Sequence, residues 1–248
     1  MDRDGRFILA LLAGTAAVCA SVRAETIQFS GYTWEVRSAD LGLPGPNPWS
    51  SRNVWVDEQG SLHLRLTRQD GRWSGAEIHT QKSLGFGCYE LWLRGRVDQL
   101  DQNVVFGLFN YPSPEMGPDR THEIDIEFAR WGNPALKNGN YTVWPVEAGR
   151  REAEHTFEFK LTGNDSTHRF VWGPAKIDFQ SLAGHVDDDR DEFARWRFQP
   201  EAPHAAISQR PMPFYINLYC YRGRPPANGQ PVELVVRAFE FTPGKPRE

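Results

Sequence analysis

The chain is poor in cysteine, with three in 248 residues, one of them Cys19. A disulfide-stapled scaffold is excluded, because such scaffolds are cysteine-dense. Cys88 and Cys220 have neither a CxxC neighbour nor a histidine at zinc spacing, so no metal site and no cofactor are expected. In GCYELWLRGR the alternation groups Cys88 with Glu90 and Trp92, and in FYINLYCYRG it groups Cys220 with Ile216 and Leu218. One thiol then faces a polar surface and the other the core, which argues against a bridge between them.

Other absences narrow the function. No apolar run reaches the roughly 20 residues of a membrane-spanning helix. Basic residues do not dominate: 28 Lys and Arg stand against 32 Asp and Glu, a net charge of −4, and no basic tract occurs. Nucleic acid and anionic membrane are poor partners for such a chain. The seven histidines form no HxH or HExxH pair. Without a GxSxG elbow or a P-loop, esterase and nucleotide chemistry lack their motifs. No stretch holds a long 3.6-residue period, and no segment repeats at a fixed interval.

What is present begins with a leader. Arg3 and Arg6 precede the apolar run Phe7 to Ala20, and the small residues Val22 and Ala24 in SVRA fit a signal-peptidase site. Residues 1–24 are expected to be a secretory signal, and 25–248 a single mature domain, monomeric and either secreted or periplasmic. Val18 before Cys19 is a poor match to a lipoprotein box, so no membrane anchor is expected.

Short segments of period two, rich in Val, Ile, Phe, Tyr, Trp and Thr, fill the rest. They are TIQFS, YTWEVR, NVWVDEQGSLHLRL, GAEIHTQKS, FGCYELWLRGRV, NVVFGLFNY, HEIDIEFAR, GNYTVWPV, HTFEFKL, HRFVWG, KIDFQSL, FYINLYCY and VELVVRAFEF, separated by Gly, Pro, Asn and Asp turns. NVWVDEQGSLHLRL reads as a hairpin turning at DEQG. Residues 41–51, 111–120 and 184–213 read as loops, the last with the solvated charge run HVDDDRDE. The pattern predicts an all-β fold, two antiparallel sheets stacked as a sandwich of jelly-roll type.

In THEIDIEFARW, Glu123, Asp125 and Glu127 occupy alternate positions and Ile124, Ile126 and Phe128 the others. A strand places the three acids on one face and the apolar residues on the opposite one. Acids are depleted in strands and like charges two residues apart repel, so the pattern carries a cost. A solvent-facing strand kept soluble by its acids explains the alternation about as well as a functional site does. Calcium fits less well, since alternate acids on a strand lack the loop spacing that wraps an oxygen cage. The functional reading is glycoside hydrolysis by two carboxyls, one protonated to assist the leaving oxygen and one ionised at the anomeric carbon. Asp125 between them can raise a neighbour's pKa and orient it.

HEIDIEF resembles the ExDxE signature of glycoside hydrolase family 16. GAEIHTQKSLGFGCYELWLRGRV is similar to that family's strand pair before the active site, THRFVWGPAKIDFQ to its His, aromatic and Trp segment, and FYINLY to its Asn-Leu-aromatic strand. The uninterrupted ExDxE is similar to the lichenase and transglycosylase branch, and the whole resembles a bacterial subgroup. The resemblance implies a concanavalin A-like jelly roll with a sugar cleft. It also implies a secreted endo-glycosidase that cleaves a β-linked polysaccharide by retaining double displacement. Glu123 would be the nucleophile, Asp125 the assisting residue and Glu127 the general acid/base. Two alternatives stand beside it, a transglycosylase on the same site and a non-catalytic sugar-binding jelly roll.

Trp144 in GNYTVWPV shares the parity of Asn140 and Thr142, and Trp131 follows the acidic strand, so both are candidates to stack on a pyranose ring. For Trp131, packing within its loop is an equal reading. Asn217, on the polar side of its strand with Tyr219 and Tyr221, and Glu77 match cleft positions of the family by resemblance, with plain surface roles as the alternative. Trp49 and Trp55 flank SSRN, where core or rim packing is the default. His168 resembles a buried structural histidine, and His122 has the core-side parity of Ile124.

Overall fold

Every alternating segment named above forms a strand in the computed structural model, which describes residues 25–186 and 189–244. The leader expected over 1–24 lies outside the described residues. One eight-stranded antiparallel sheet runs in the order Glu25–Phe29, Tyr32–Val36, Ala76–Thr80, Phe214–Cys220, Val104–Asn110, Ile124–Phe128, Gly139–Val143, Ala153–Phe157. The second runs Glu192–Phe198, Ile177–Ala183, Asp165–Trp172, Gly87–Arg94, Val232–Pro243, Leu62–Gln69, Val54–Val56, with Arg72–Ser74 paired to Leu62–Gln69.

The core lies between the sheets because each presents its apolar parity inward. Ile78, Phe106, Ile126, Ile216 and Leu218 from the first sheet join Leu64, Leu91, Phe170 and Trp172 from the second in one buried cluster. A one-residue slip of Ile124–Phe128 would move Ile124, Ile126 and Phe128 out and the acids in, so burial locks the register. Full burial of a side chain such as Ile126 is worth about 1.5–3 kcal/mol. His168 is also inside, where its ring nitrogens meet Ser166 Oγ and Ser181 Oγ, both at 2.9 Å, and burial lowers its pKa to about 3. It is neutral at ordinary pH, as a structural histidine should be.

The hairpin at DEQG forms as expected, with Gly60 N–H donating to Asp57 O at 3.0 Å and Val56 opposite Leu62. Cys88 and Cys220 lie on different sheets and no disulfide joins them. Two segments expected as loops carry more structure. Glu192–Phe198, inside 184–213, is an edge strand of the second sheet, and Pro203–Ala206 is a helical turn. The edge strand was hidden because its outward side is charged, with Arg195 and Arg197 exposed, as edges commonly are. Likewise Ala39–Gly42 and Asn47–Trp49 form a small two-stranded ribbon within the Pro-rich stretch near 41–51.

Candidate active site

The outer face of the first sheet carries the acids. The ladder beyond Ile124 continues through Trp144 N–H to Glu123 O at 2.9 Å and His122 N–H to Pro145 O at 3.0 Å, so Glu123 keeps strand geometry one residue before the strand. Register then aligns side chains across strands. Glu127 stands opposite Gly107, Gly107 opposite Asn217, and Asn217 opposite Glu77. Asp125 stands opposite Phe109, Phe109 opposite Tyr215, and Tyr215 opposite His79. Gly107 is needed where it sits, because a Cβ there would come within 2.9 Å of Asn217 Oδ1. The bare backbone lets the amide of Asn217 lie in the row that ends at Glu127.

These rows floor a cleft of about 900 Å³ that includes Glu123, Asp125 and Glu127. Asp125 accepts the indole Nε1–H of Trp144 on Oδ2 at 2.9 Å, while its Oδ1 is buried with no donor among the described residues. Burial and the charges of Glu123 and Glu127 push the Asp125 carboxyl well up, and it bonds to the Glu123 side chain. That bond works the other way on Glu123, whose carboxyl is raised by burial and by Glu127 and lowered by Asp125. Two neighbouring carboxyls that burial pushes up do not both ionise freely, so a proton is held within the pair. Burial alone raises Glu127 to about 7. At neutral pH the trio therefore carries fewer than three charges, with a protonated fraction available on Glu127.

A second network orders the next strands. Glu77 is buried, with Arg37 Nη1 at 2.6 Å on Oε1 and Asn217 Nδ2 donating to Oε2 at 3.2 Å. Burial raises the Glu77 carboxyl, and Arg37 and Asn217 pull it back down. The same Arg37 Nη1 donates to Leu43 O at 2.7 Å and its guanidinium lies over the Trp49 ring at 4.8 Å, tying the ribbon to the cleft wall. With Nδ2 committed to Glu77, Asn217 keeps Oδ1 as a buried acceptor with no donor.

The family model for glycosyl hydrolases family 16 matches residues 47–230. The chain belongs to glycosyl hydrolase family 16. A curated member, xyloglucan endotransglycosylase/hydrolase protein 8 of Oryza sativa subsp. japonica, is 26% identical over 160 residues, 58% of this chain and 53% of that protein. The chain thus matches about half the length of that relative. Among solved structures, a Bacillus licheniformis β-glucanase superposes with a TM-score of 0.63 at 20% identity, over 85% of this chain and 92% of that one. A Mycobacterium tuberculosis protein titled an immunostimulatory antigen and pseudo β-1,3-glucanase gives 0.60 at 21%, over 82% and 88%. These structural likenesses establish the jelly roll of the family.

All seven residues singled out from the sequence line this family 16 cleft: Glu123, Asp125, Glu127, Trp131, Trp144, Asn217 and Glu77. Their settings differ from plain expectations. Glu77 is no surface acid but a buried one. Trp144 is tied by its N–H to Asp125 and has the Arg120 guanidinium over its ring at 5.1 Å, so one face is occupied. Trp131 meets Tyr221 edge to face at 5.6 Å. Trp49 is buried behind Tyr219, and Trp55 belongs to the other sheet, stacked on His63 at 4.7 Å. His122 is buried with Nδ1 3.1 Å from Ser208 Oγ.

Sequence reasoning missed Arg37, Tyr111, Asp119, Arg120 and Arg222, which also line the cleft. Tyr111 donates its hydroxyl to Asp119 Oδ1 at 2.8 Å within the segment read as a loop. Tyr219 had a face but no neighbours. In the fold it is 5% exposed and lines the cleft with the three acids, where burial, then the charges of Glu127, Glu123 and Asp125, push its hydroxyl up. Nothing in strand parity marks an arginine in a loop as a cleft residue.

Proposed function

We propose that the protein is an exported retaining endo-glycosidase that hydrolyses a β-linked polysaccharide, with residues 25–248 as its monomeric, single-domain mature form. The observation that carries the reaction is the row Glu123, Asp125, Glu127 on the floor of an open cleft, with Asp125 buried and hydrogen-bonded to Trp144 and the two glutamates part-exposed to the cleft. Export rests on the leader-like residues 1–24.

In the first step the Glu127 carboxyl gives its proton to the glycosidic oxygen as the C1–O bond breaks. Glu123 attacks C1 from the other side and forms a glycosyl ester. A carboxyl near 7 is matched to that task at neutral pH, and such proton transfer is worth about 10²–10⁴ in rate. Asp125 holds the Glu123 carboxylate in line through its proton, and Trp144 holds Asp125. In the second step the Glu127 carboxylate takes a proton from water, the water oxygen bonds to C1, and the Glu123–C1 bond breaks. Two inversions leave the configuration unchanged. If a sugar hydroxyl replaces that water, the same site transfers the glycosyl group, and the name of the rice relative, endotransglycosylase/hydrolase, joins both outcomes.

Glu123→Gln tests the reading. It should leave the fold and melting temperature near wild type while abolishing release of reducing ends from every glycan the wild type cleaves. A folded variant that still cleaves one of them overturns the assignment. Product analysis with an added oligosaccharide acceptor separates hydrolysis from transfer.

A further inference from the structure

Seven non-glycine residues among those described have positive φ. Ser30, Asp70 and Asp191 are of types that tolerate it, the first two beside glycines in turns. The other four are Arg120 at 67°, His122 at 63°, Trp131 at 50° and Arg222 at 54°, and of these only histidine is a type enriched there. Three of these four line the cleft, and His122 adjoins Glu123. Left-handed backbone at such residues costs of order 1–3 kcal/mol each, and strain of this kind gathers where function needs it.

The two arginines share a second property. Arg120 lies over the Trp144 ring at 5.1 Å and Arg222 over the Tyr221 ring at 5.1 Å, and both side chains are exposed to the cleft. Neither forms an ion pair with a carboxylate among the described residues, whereas the cleft's third arginine, Arg37, is bound to Glu77. An aromatic ring beneath a guanidinium fixes its plane and leaves its N–H fork free, the geometry that suits a carboxylate or a sulfate. Arg120 precedes the row of acids and Arg222 follows the strand end at Cys220, which pairs with Val104 beyond the Phe106–Phe128 pair. The two cations thus stand on opposite sides of the row.

Resting on the glycosidase reading above, we propose that the polysaccharide taken by this cleft carries anionic substituents, sulfate or carboxylate, which Arg120 and Arg222 bind on either side of the scissile bond. Of the cleft's outer acids, Glu77 is paired with Arg37, Glu35 lies 3.4 Å from His79, and the Tyr111 hydroxyl covers one oxygen of Asp119.

Matched pairs of polymers test it. Affinity electrophoresis of the full chain is run through gels containing agarose or carrageenan, and hydroxyethyl cellulose or carboxymethyl cellulose, at low and high salt. The first pair reports sulfate and the second carboxylate. Wild type should bind one charged member about tenfold or more tightly than its neutral partner, less so at high salt. Arg120→Gln and Arg222→Gln should each lower that charged-over-neutral ratio by about tenfold, with the Lys variants falling less. Arg151→Gln, on the surface outside the cleft, should keep the ratio. Equal binding within both pairs, or a ratio that survives the double Gln variant with an unchanged melting temperature, overturns the proposal. Reducing-end release by wild type and Glu123→Gln is measured in parallel. Activity on neutral glycans alone, lost in Glu123→Gln, sinks the anionic substrate and leaves the glycosidase standing, while activity retained by Glu123→Gln sinks the glycosidase.

Discussion

Trp144 holds Asp125 by a single indole N–H bond of 2.9 Å to Oδ2, on the side away from the oxygen left without a donor. The orientation of Asp125, next to Ile124 and Ile126 on the acidic strand, depends on that bond.

Trp144→Phe keeps an aromatic ring under Arg120 but removes the donor. Charge-assisted bonds of this kind are worth about 1.5–3 kcal/mol, so kcat should fall roughly ten- to a hundredfold. Steady-state kinetics on a cleaved glycan check it, and a kcat within about twofold of wild type would show that Asp125 is held by other means.

The pH profile should report Glu127. With its carboxyl raised to about 7, the proton needed for leaving-group departure is present below that pH and is lost above it, so kcat should decline on the alkaline side of neutrality. Glu127→Gln should be nearly inactive on a polysaccharide, yet retain turnover on an aryl glycoside with an activated leaving group, without the alkaline decline. An unchanged alkaline limb in Glu127→Gln assigns that limb to another group.

Arg37→Met removes the cation from buried Glu77. An uncompensated buried charge costs about 3–5 kcal/mol, and the part-exposed position of Arg37 puts the loss toward the lower figure. Glu77→Gln, which keeps a partner for Asn217, should cost less. Chemical denaturation of the two variants decides the order, and the reverse order contradicts the network.

His63 gives a pH effect on stability away from the cleft. Its Nε2 meets Asp57 Oδ2 and its Nδ1 meets Glu233 Oε1, both at 2.9 Å. Burial works against its charge, but the bonds to Asp57 and Glu233 outweigh burial and raise its pKa. A raised folded pKa stabilises fully below the unfolded value near 6.5, and that contribution disappears as pH rises through the folded value. Thermal melts from pH 5 to 9 should show the loss in wild type and not in His63→Gln, and identical pH dependence in the two proteins would remove His63 from the account.

Much of this was written in local pattern. The alternation in HEIDIEF assigned Ile124, Ile126 and Phe128 to the core and the three acids to one outer face, since a strand's side chains alternate whatever its neighbours are. The same parity put Cys220 inside, Asn217 outside and a turn at DEQG. It failed at Glu192–Phe198, where an edge strand needs only one covered face and charged residues blur the alternation.

What a single strand cannot encode is which strand lies beside it. Only pairing placed Gly107 between Asn217 and Glu127, and Glu77 beyond them under the guanidinium of Arg37. Only folding brought Arg120 and Arg222 from distant loops to the two sides of the acids, on backbone conformations that local preference disfavours. Sequence determined the faces, because side-chain direction is a local property of extended backbone. Tertiary structure decided the neighbours, because register, burial and proton sharing exist only once separate strands are held a few ångströms apart.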